Sequence, residues 1–110
     1  MICSQYDVVV VPFPFTDRRT SKRRPALAVS SEKFSAESGH TVLAMITSAA
    51  NPSWPLDTPV NAASAGLHAP SKLRMKLFTL DNRLILRRTG SLREPDTRTV
   101  AQALGRLLGA

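Results

Sequence analysis

The sequence is poor in the residues that build disulfides and metal centres. Its 110 residues include one cysteine, Cys3, and two histidines, His40 and His68. A single thiol excludes an internal disulfide and is typical of a protein from a reducing compartment, so we expect a cytoplasmic protein. The two histidines are far apart in the chain and show no ligand spacing for zinc. We therefore expect no metal and no other cofactor.

Long hydrophobic runs and glycine-rich phosphate loops are also missing. No segment approaches the roughly 20 apolar residues of a membrane-spanning helix. The apolar stretch at residues 8–11 follows Asp7 and is interrupted by Pro12 and Pro14, which is unlike a signal peptide. We expect no membrane association. Residues 1–110 contain no repeat or low-complexity tract, and we predict that they form one domain.

Acidic residues are few, and the cations are concentrated in two segments. Fifteen Lys and Arg stand against eight Asp and Glu, a formal net charge of +7. Residues 18–24 carry five cations and no acid and end at Pro25, while residues 72–88 carry six cations against Asp81 alone. Such clusters attract RNA, DNA, an acidic protein or an anionic surface. Charge alone does not choose among these, and a solvated basic face is the plain alternative.

The hydrophobic pattern predicts a mainly β protein with one C-terminal helix. Residues 18–24 are predicted to form a long loop between the first two strands, residues 31–39 a helical turn or loop, and residues 61–70 a loop. Apolar residues at helical spacing predict a helix from about Pro95, packed on the sheet; they are Val100, Ala103, Leu104, Leu107 and Leu108. The predicted strands are residues 6–13, 25–30, 41–47, 56–60, 72–77 and 84–86.

Several short segments, taken in order, resemble one protein family. The opening strand reads Tyr-Asp-Val-Val-Val-Val-Pro-Phe from Tyr6, the second reads Arg-Arg-Pro-Ala-Leu-Ala-Val-Ser from Arg23, and the third closes with Met-Ile-Thr-Ser from Met45. Residues 65–67, 70–71, 76–81 and 90–92 continue the match. Together these segments resemble the MazF/PemK toxins, the ribonuclease half of bacterial toxin-antitoxin pairs, over nearly the whole chain.

The resemblance implies a fold and an activity. The family's fold is an SH3-like small barrel of antiparallel strands (CcdB/MazF-like) with a C-terminal helix, usually as a homodimer. The implied activity is that of a type II toxin-antitoxin toxin, a metal-independent, sequence-selective endoribonuclease. It cleaves single-stranded RNA by attack of the 2′-hydroxyl, leaving a 2′,3′-cyclic phosphate. A cognate antitoxin with a partly acidic tail is the implied protein partner.

The same resemblance assigns catalytic positions. Arg24, directly before Pro25, matches the residue that stabilises the scissile phosphate, and Thr47 matches the hydroxyl residue beside it. An arginine fork suits a phosphoryl group because it donates two hydrogen bonds. Neither arginine nor threonine is a useful base, so the general base stays unassigned. The plain alternatives are an ion-paired or solvated Arg24 and a Thr47 that only favours a strand.

Further residues are predicted to bind RNA. Trp54 could stack on an unpaired base or pack against the barrel. His40 and His68 are predicted to be surface or loop residues without a catalytic partner. Many family members have a Gly-Ser-Glu-like sequence in the first long loop, where this chain has the basic residues 18–22 instead. The predicted RNA-binding residues are Arg18, Arg19, Lys22, Arg23, Ser48, Trp54, Lys72, Arg74 and Lys76.

Two other functions are compatible with the sequence. One is a CcdB-like toxin that binds DNA gyrase through its helix and dimer surface. The other is a catalytically silent RNA-binding barrel. The Arg-Pro pair at the root of the second strand favours the ribonuclease, because a gyrase-binding protein needs no phosphate donor there.

Overall fold

The computed structural model describes residues 1–13 and 22–110. The described part contains one antiparallel sheet with the strand order β4-β5-β3-β2-β1-β6. The sheet curls into a half-barrel, and the C-terminal helix packs against it, which confirms the predicted fold class. In chain order the elements are β1 (Asp7–Phe13), β2 (Lys22–Ala28), α1 (Glu32–Ser38), β3 (His40–Ser48), β4 (Thr58–Val60), α2 (Ala62–Ala65), β5 (Ser71–Asp81), a 3₁₀ turn (Asn82–Leu84), β6 (Arg87–Ser91) and α3 (Asp96–Leu107).

The strand β1 is buried on both faces. Val8 and Val9 are consecutive and fully buried, yet they belong to two different apolar clusters. Successive side chains of a strand point to opposite faces, so a strand between two clusters needs an unbroken apolar run. The continuous valines of residues 8–11 meet that requirement, and the predicted strand is confirmed.

The strand β2 begins earlier than predicted. Lys22 pairs with Phe13, Arg23 with Pro12 and Arg24 with Val11, so the ladder runs into the basic segment. The prediction of a loop is therefore wrong for residues 22–24, because pairing with β1 outweighs the low strand propensity of exposed cations. Residues 18–21 lie outside the described residues.

Two other predictions are corrected by the structure. Residues 84–86 do not form a strand. The Asp81 side chain accepts a hydrogen bond from the Arg83 backbone and starts the 3₁₀ turn, and the strand β6 begins only at Arg87. The segment 61–70 is not all loop, because Asn61 caps the short helix α2 by accepting a hydrogen bond from the backbone of Ser64.

The helix α3 follows the predicted pattern over most of its length. Val100 and Ala103 are buried in one of the apolar clusters, and Leu104 packs against it. Leu107 and Leu108 are 40% and 73% exposed, so the buried stripe is shorter than predicted. No helix in the described part is long and apolar enough to cross a membrane.

The single cysteine lies in the core. Cys3 is 1% exposed and belongs to the apolar cluster that contains Val9 and Leu80. Burial, reinforced by the nearby Asp7 carboxylate, raises the pKa of the Cys3 thiol. The thiol is therefore protonated and packed, and it acts as a small apolar group.

Candidate functional site

Arg24 and Thr47, the predicted catalytic pair, lie where β2 and β3 separate. The two strands pair through Ala28 and Leu43 up to Ala26 and Met45, where the ladder ends. Arg24 and Thr47 lie two residues beyond this last pair on their respective strands. Both side chains line a cavity of about 620 Å³ that opens in this gap. We call it the threonine cavity; it is lined by Phe13, Arg24, Pro25, Met45, Ile46, Thr47, Ser48, Asn51, Ala69, Pro70 and Ser71.

The hydroxyl of Thr47 is held from the following loop. The side-chain amide of Asn51 donates to Thr47 Oγ1 with 2.5 Å between the heavy atoms. Because the hydroxyl oxygen accepts this bond, its own hydrogen remains available for another acceptor in the cavity. The backbone carbonyl of Asn51 in turn accepts from the ammonium of Lys72 at 2.6 Å. Lys72 on β5 pairs with Thr47 on β3, so Asn51 is held by side chains from two neighbouring, paired strands.

A carboxylate, Asp57, fastens the other end of that loop. Its oxygens lie 3.0 Å from the Arg74 guanidinium and 3.3 Å from the Lys72 ammonium, and it also accepts from the backbone of Trp54. Burial alone would raise the pKa of Asp57, but the hydrogen bonds from Arg74, Trp54 and Lys72 outweigh it and lower the pKa. We call Asp57, Lys72 and Arg74 the loop clamp.

The loop clamp changes the interpretation of Lys72, Arg74 and Lys76, the predicted RNA-binding residues of β5. The Lys72 and Arg74 side chains are only 12% and 14% exposed and are bound to Asp57, whereas Lys76 is exposed. Arg74 also donates to the carbonyl of Pro52 at 2.6 Å. Lys72 and Arg74 therefore have an evident structural role, and their predicted contact with RNA stays a prediction.

Trp54 lies in the same loop and is 42% exposed. The Lys76 ammonium is 4.5 Å and the Arg74 guanidinium 5.7 Å from the centroid of its ring. Both distances are within the range of cation–π attraction. The indole ring of Trp54 therefore contacts two cations. Its predicted stacking on a base stays a prediction.

A second cavity adjoins the first and is strongly basic. Its volume is about 610 Å³, and we call it the cationic cleft. Val10 of β1 pairs with Pro25 of β2 on one side and with Arg87 of β6 on the other, which brings cations from distant parts of the chain together. Arg24 lines both the cationic cleft and the threonine cavity. The charged and polar side chains lining the cleft are Arg23, Arg24, His68, Ser71, Arg87, Arg88 and Thr89.

His68 lies in an exposed loop, which confirms the predicted loop or surface position. The structure also places it in the wall of the cationic cleft, which was not predicted. Nothing in the sequence marks it, because its neighbours in the cleft come from β2 and β6. His40, in contrast, bonds to Ser38 at the end of α1.

The loop that carries His68 starts from a close contact between α2 and β6. Gly66 has a φ of +70°, and a Cβ atom at this position would stand 2.2 Å from the carbonyl oxygen of Thr89. The hydroxyl of Thr89 donates to the carbonyl of Ala65 at 2.8 Å. Only glycine allows both this conformation and this approach. The backbone two residues before His68 is therefore fixed against β6.

The remaining predicted residues are distributed around the two cavities. Lys22 and Arg23 are exposed at the start of β2, and Arg23 lines the cationic cleft. Ser48 lines the threonine cavity, and its hydroxyl accepts from the backbone of Ala50. Arg18 and Arg19 lie outside the described residues. In residues 1–13 and 22–110, no three His, Cys, Asp or Glu side chains are grouped so that they would hold a metal ion.

Solved structures share this fold. The MazF chain of a MazE–MazF complex from Deinococcus radiodurans superposes with a TM-score of 0.79 at 22% identity, covering 99% of this chain and 98% of that chain. The Mycobacterium tuberculosis toxin MazF-mt6 gives 0.76 at 21% identity, covering 94% and 96%. A mycobacterial endoribonuclease in complex with its cognate antitoxin gives 0.76 at 14% identity, covering 98% and 94%.

The sequence itself gives the family. Among curated proteins none matches it. The family model described as the PemK-like, MazF-like toxin of type II toxin-antitoxin systems matches residues 4–108, which is nearly the full chain. The chain belongs to the PemK-like, MazF-like toxins of type II toxin-antitoxin systems.

Proposed function

We propose that this toxin is a metal-independent, sequence-selective endoribonuclease that cleaves single-stranded RNA. The 2′-hydroxyl attacks the adjacent phosphorus, and the products carry a 2′,3′-cyclic phosphate and a 5′-hydroxyl. The observation that carries the proposal is the place of Arg24, which lines both cavities and shares the threonine cavity with Thr47. A phosphate bound at this boundary would have both side chains within reach.

The roles of the two residues follow from their donors. As the 2′-oxygen attacks, negative charge builds on the phosphoryl oxygens, and the planar guanidinium of Arg24 donates two parallel hydrogen bonds to them. The hydroxyl of Thr47 has a free hydrogen because its oxygen accepts from Asn51. Thr47 therefore donates to an oxygen that becomes more negative in the transition state.

The cationic cleft supports an RNA substrate. Four arginines line it, and none of the described residues that line it is acidic. Neighbouring phosphates of a single strand would be held there, with an affinity that falls as salt rises. Ser48 in the threonine cavity and the exposed Trp54 and Lys76 extend the polar surface beyond the two cavities.

The same surface supports a protein partner. Two of the similar structures are complexes of a toxin with its antitoxin. We include in the proposal a cognate antitoxin whose acidic segment covers the cationic cleft and blocks RNA, a homodimeric toxin, and a cytoplasmic location. A polyanionic strand and an acidic segment would compete for the same four arginines.

The test uses purified protein and a long single-stranded RNA in EDTA. We expect cuts at few sites, with 2′,3′-cyclic phosphate ends. Arg24→Ala and Thr47→Ala should each lower the cleavage rate, for Arg24 by about a hundredfold or more, while folding and RNA binding persist. Arg98→Ala is the matched control, since Arg98 bonds to Glu94 on α3.

Other outcomes would replace this proposal. Absence of cleavage together with inhibition of DNA gyrase would identify a gyrase-binding toxin. RNA binding without cleavage or gyrase inhibition would identify a silent RNA-binding barrel. Cleavage that Arg24→Ala and Thr47→Ala leave unchanged would remove both residues from the site.

A further inference from the structure

We propose that His68 is the general base that takes the proton from the attacking 2′-hydroxyl. This inference rests on the proposed function, in which the base is otherwise unassigned. It begins from one geometric fact: Arg24 stands on the boundary between two adjoining cavities, with Thr47 lining one and His68 lining the other.

The geometry of in-line displacement relates the two cavities to the two reacting oxygens. The attacking and leaving oxygens lie on opposite sides of the phosphorus, so a phosphate held at Arg24 presents one of them to each cavity. Thr47 has a hydroxyl hydrogen to donate, which suits the leaving 5′-oxygen because that oxygen gains negative charge. The attacking 2′-hydroxyl then points into the cationic cleft, where His68 forms part of the wall.

His68 shares the cationic cleft with four arginines. The groups that face the cleft are the guanidiniums of Arg23 and Arg24 from β2 and of Arg87 and Arg88 from β6. Asp7, the acid beside this wall, is ion-paired with Arg88 at 3.6 Å and does not line the cleft. These guanidiniums hold the phosphates of the bound strand, and this brings the attacking 2′-hydroxyl to the imidazole of His68.

The imidazole is also free to act. Within residues 1–13 and 22–110, His68 has no hydrogen-bond or ion-pair partner, and it is exposed. The backbone before it is fixed by the contact of Gly66 with Thr89. An unpaired side chain on an anchored segment is suited to contact a substrate that enters the cleft.

The step balances with water as the proton source for the leaving 5′-oxygen. The 2′-oxygen forms a bond to phosphorus and transfers its proton to the imidazole of His68. The bond from phosphorus to the 5′-oxygen breaks, its electron pair stays on that oxygen, and a proton from water reaches the oxygen along the side where Thr47 donates. Loss of the proton from His68 to solvent restores the enzyme.

The experiment compares the two histidines of the chain. We would measure cleavage of a defined single-stranded RNA by wild type, His68→Ala, His68→Gln and the matched control His40→Ala from pH 5 to 9. We expect His68→Ala and His68→Gln to lower the maximal rate by roughly 10²–10⁴-fold. The wild-type rise of rate with pH should disappear in both variants and persist in His40→Ala. Added imidazole should restore part of the rate of His68→Ala.

A second substrate separates base from acid. An RNA with sulfur in place of the 5′-bridging oxygen has a leaving group that needs no proton. The defect of His68→Ala should persist on this substrate if His68 is the base. Recovery of the wild-type rate would assign His68 as the acid and overturn the proposal.

Three further outcomes would overturn the role of His68. Variants of His68 that match His40→Ala in rate and pH profile would overturn this inference and leave the ribonuclease intact. A change confined to the RNA concentration needed for half-maximal rate would make His68 a binding residue and overturn it as well. A wild type that cuts no RNA would remove the proposed function and, with it, this role.

Discussion

The side-chain amide of Asn51 donates a hydrogen bond to the hydroxyl of Thr47, with 2.5 Å between Nδ2 and Oγ1. This bond joins the loop after β3 to the wall of the threonine cavity. The loop itself is held by the Lys72 ammonium on the Asn51 carbonyl. The orientation of the Thr47 hydroxyl thus depends on groups that need not touch the substrate.

We predict that Asn51→Ala lowers the cleavage rate about fivefold, because a hydrogen bond of this kind contributes about 1 kcal/mol. The effect should vanish in a Thr47→Ala background, since Asn51 acts through Thr47. Single-turnover rates of the two single variants and the double variant measure this coupling. Ser53→Ala, in the same loop, is the control for a general disturbance, and an equal loss with Thr47 absent would contradict the prediction.

Two neighbouring cations on β5 should respond differently to removal. Arg74→Ala takes away hydrogen bonds to Asp57 and to the Pro52 carbonyl and should lower the free energy of unfolding by about 2 kcal/mol. Lys76→Ala removes an exposed cation over Trp54 and should change stability by less than about 0.5 kcal/mol. Urea unfolding of the two variants gives the comparison. Equal losses would show that the loop clamp does not stabilise the fold.

The loop clamp should make stability depend on pH in the acid range. The pKa of Asp57 is lowered in the folded protein, so its stabilising contribution is complete above the unfolded value of about 4. It is lost as pH falls through the folded value. Asp57→Asn should therefore be less stable than wild type at pH 7, and the difference should shrink below about pH 4. Thermal unfolding between pH 3 and 7 tests this, and a constant difference would refute it.

Two glycines should respond oppositely to alanine. Gly66→Ala places a methyl group 2.2 Å from the Thr89 carbonyl oxygen at a φ of +70°, and we expect a loss of about 2 kcal/mol or more. Gly105→Ala, within α3 and with no atom inside 4 Å of the new Cβ, should raise stability by about 0.5–1 kcal/mol. Melting temperatures of both variants decide it. If the contact between Gly66 and Thr89 also positions the wall of the cationic cleft, Gly66→Ala will impair RNA cleavage and Gly105→Ala will not.

The elements that were predicted correctly are those that a single local sequence pattern determines. The valine run of β1 and the helical spacing of Val100, Ala103 and Leu104 both led to the elements that the structure has. The start of β2 at Lys22 and of β6 at Arg87 was missed, because each depends on pairing with β1. The residues of a strand do not by themselves show where pairing with another strand begins.

The candidate site likewise contains residues that were predicted and contacts that were not. Arg24 and Thr47 were named through the family resemblance, and both line the threonine cavity. His68, and the binding of Lys72 and Arg74 to Asp57, were not foreseen. These contacts join residues from different strands and loops, and neither periodicity nor local composition encodes such a contact.

The place of β1 between β2 and β6 has a consequence for synthesis on the ribosome. Arg87 and Arg88 reach the cationic cleft only when β6 pairs with β1, and β6 follows the other five strands in the chain. Before Arg87 has emerged from the ribosome, the chain contains Arg23 and Arg24. It still lacks the opposite wall of the cationic cleft, which β6 forms. The cationic cleft is therefore completed only late in translation, after most of the chain has been made.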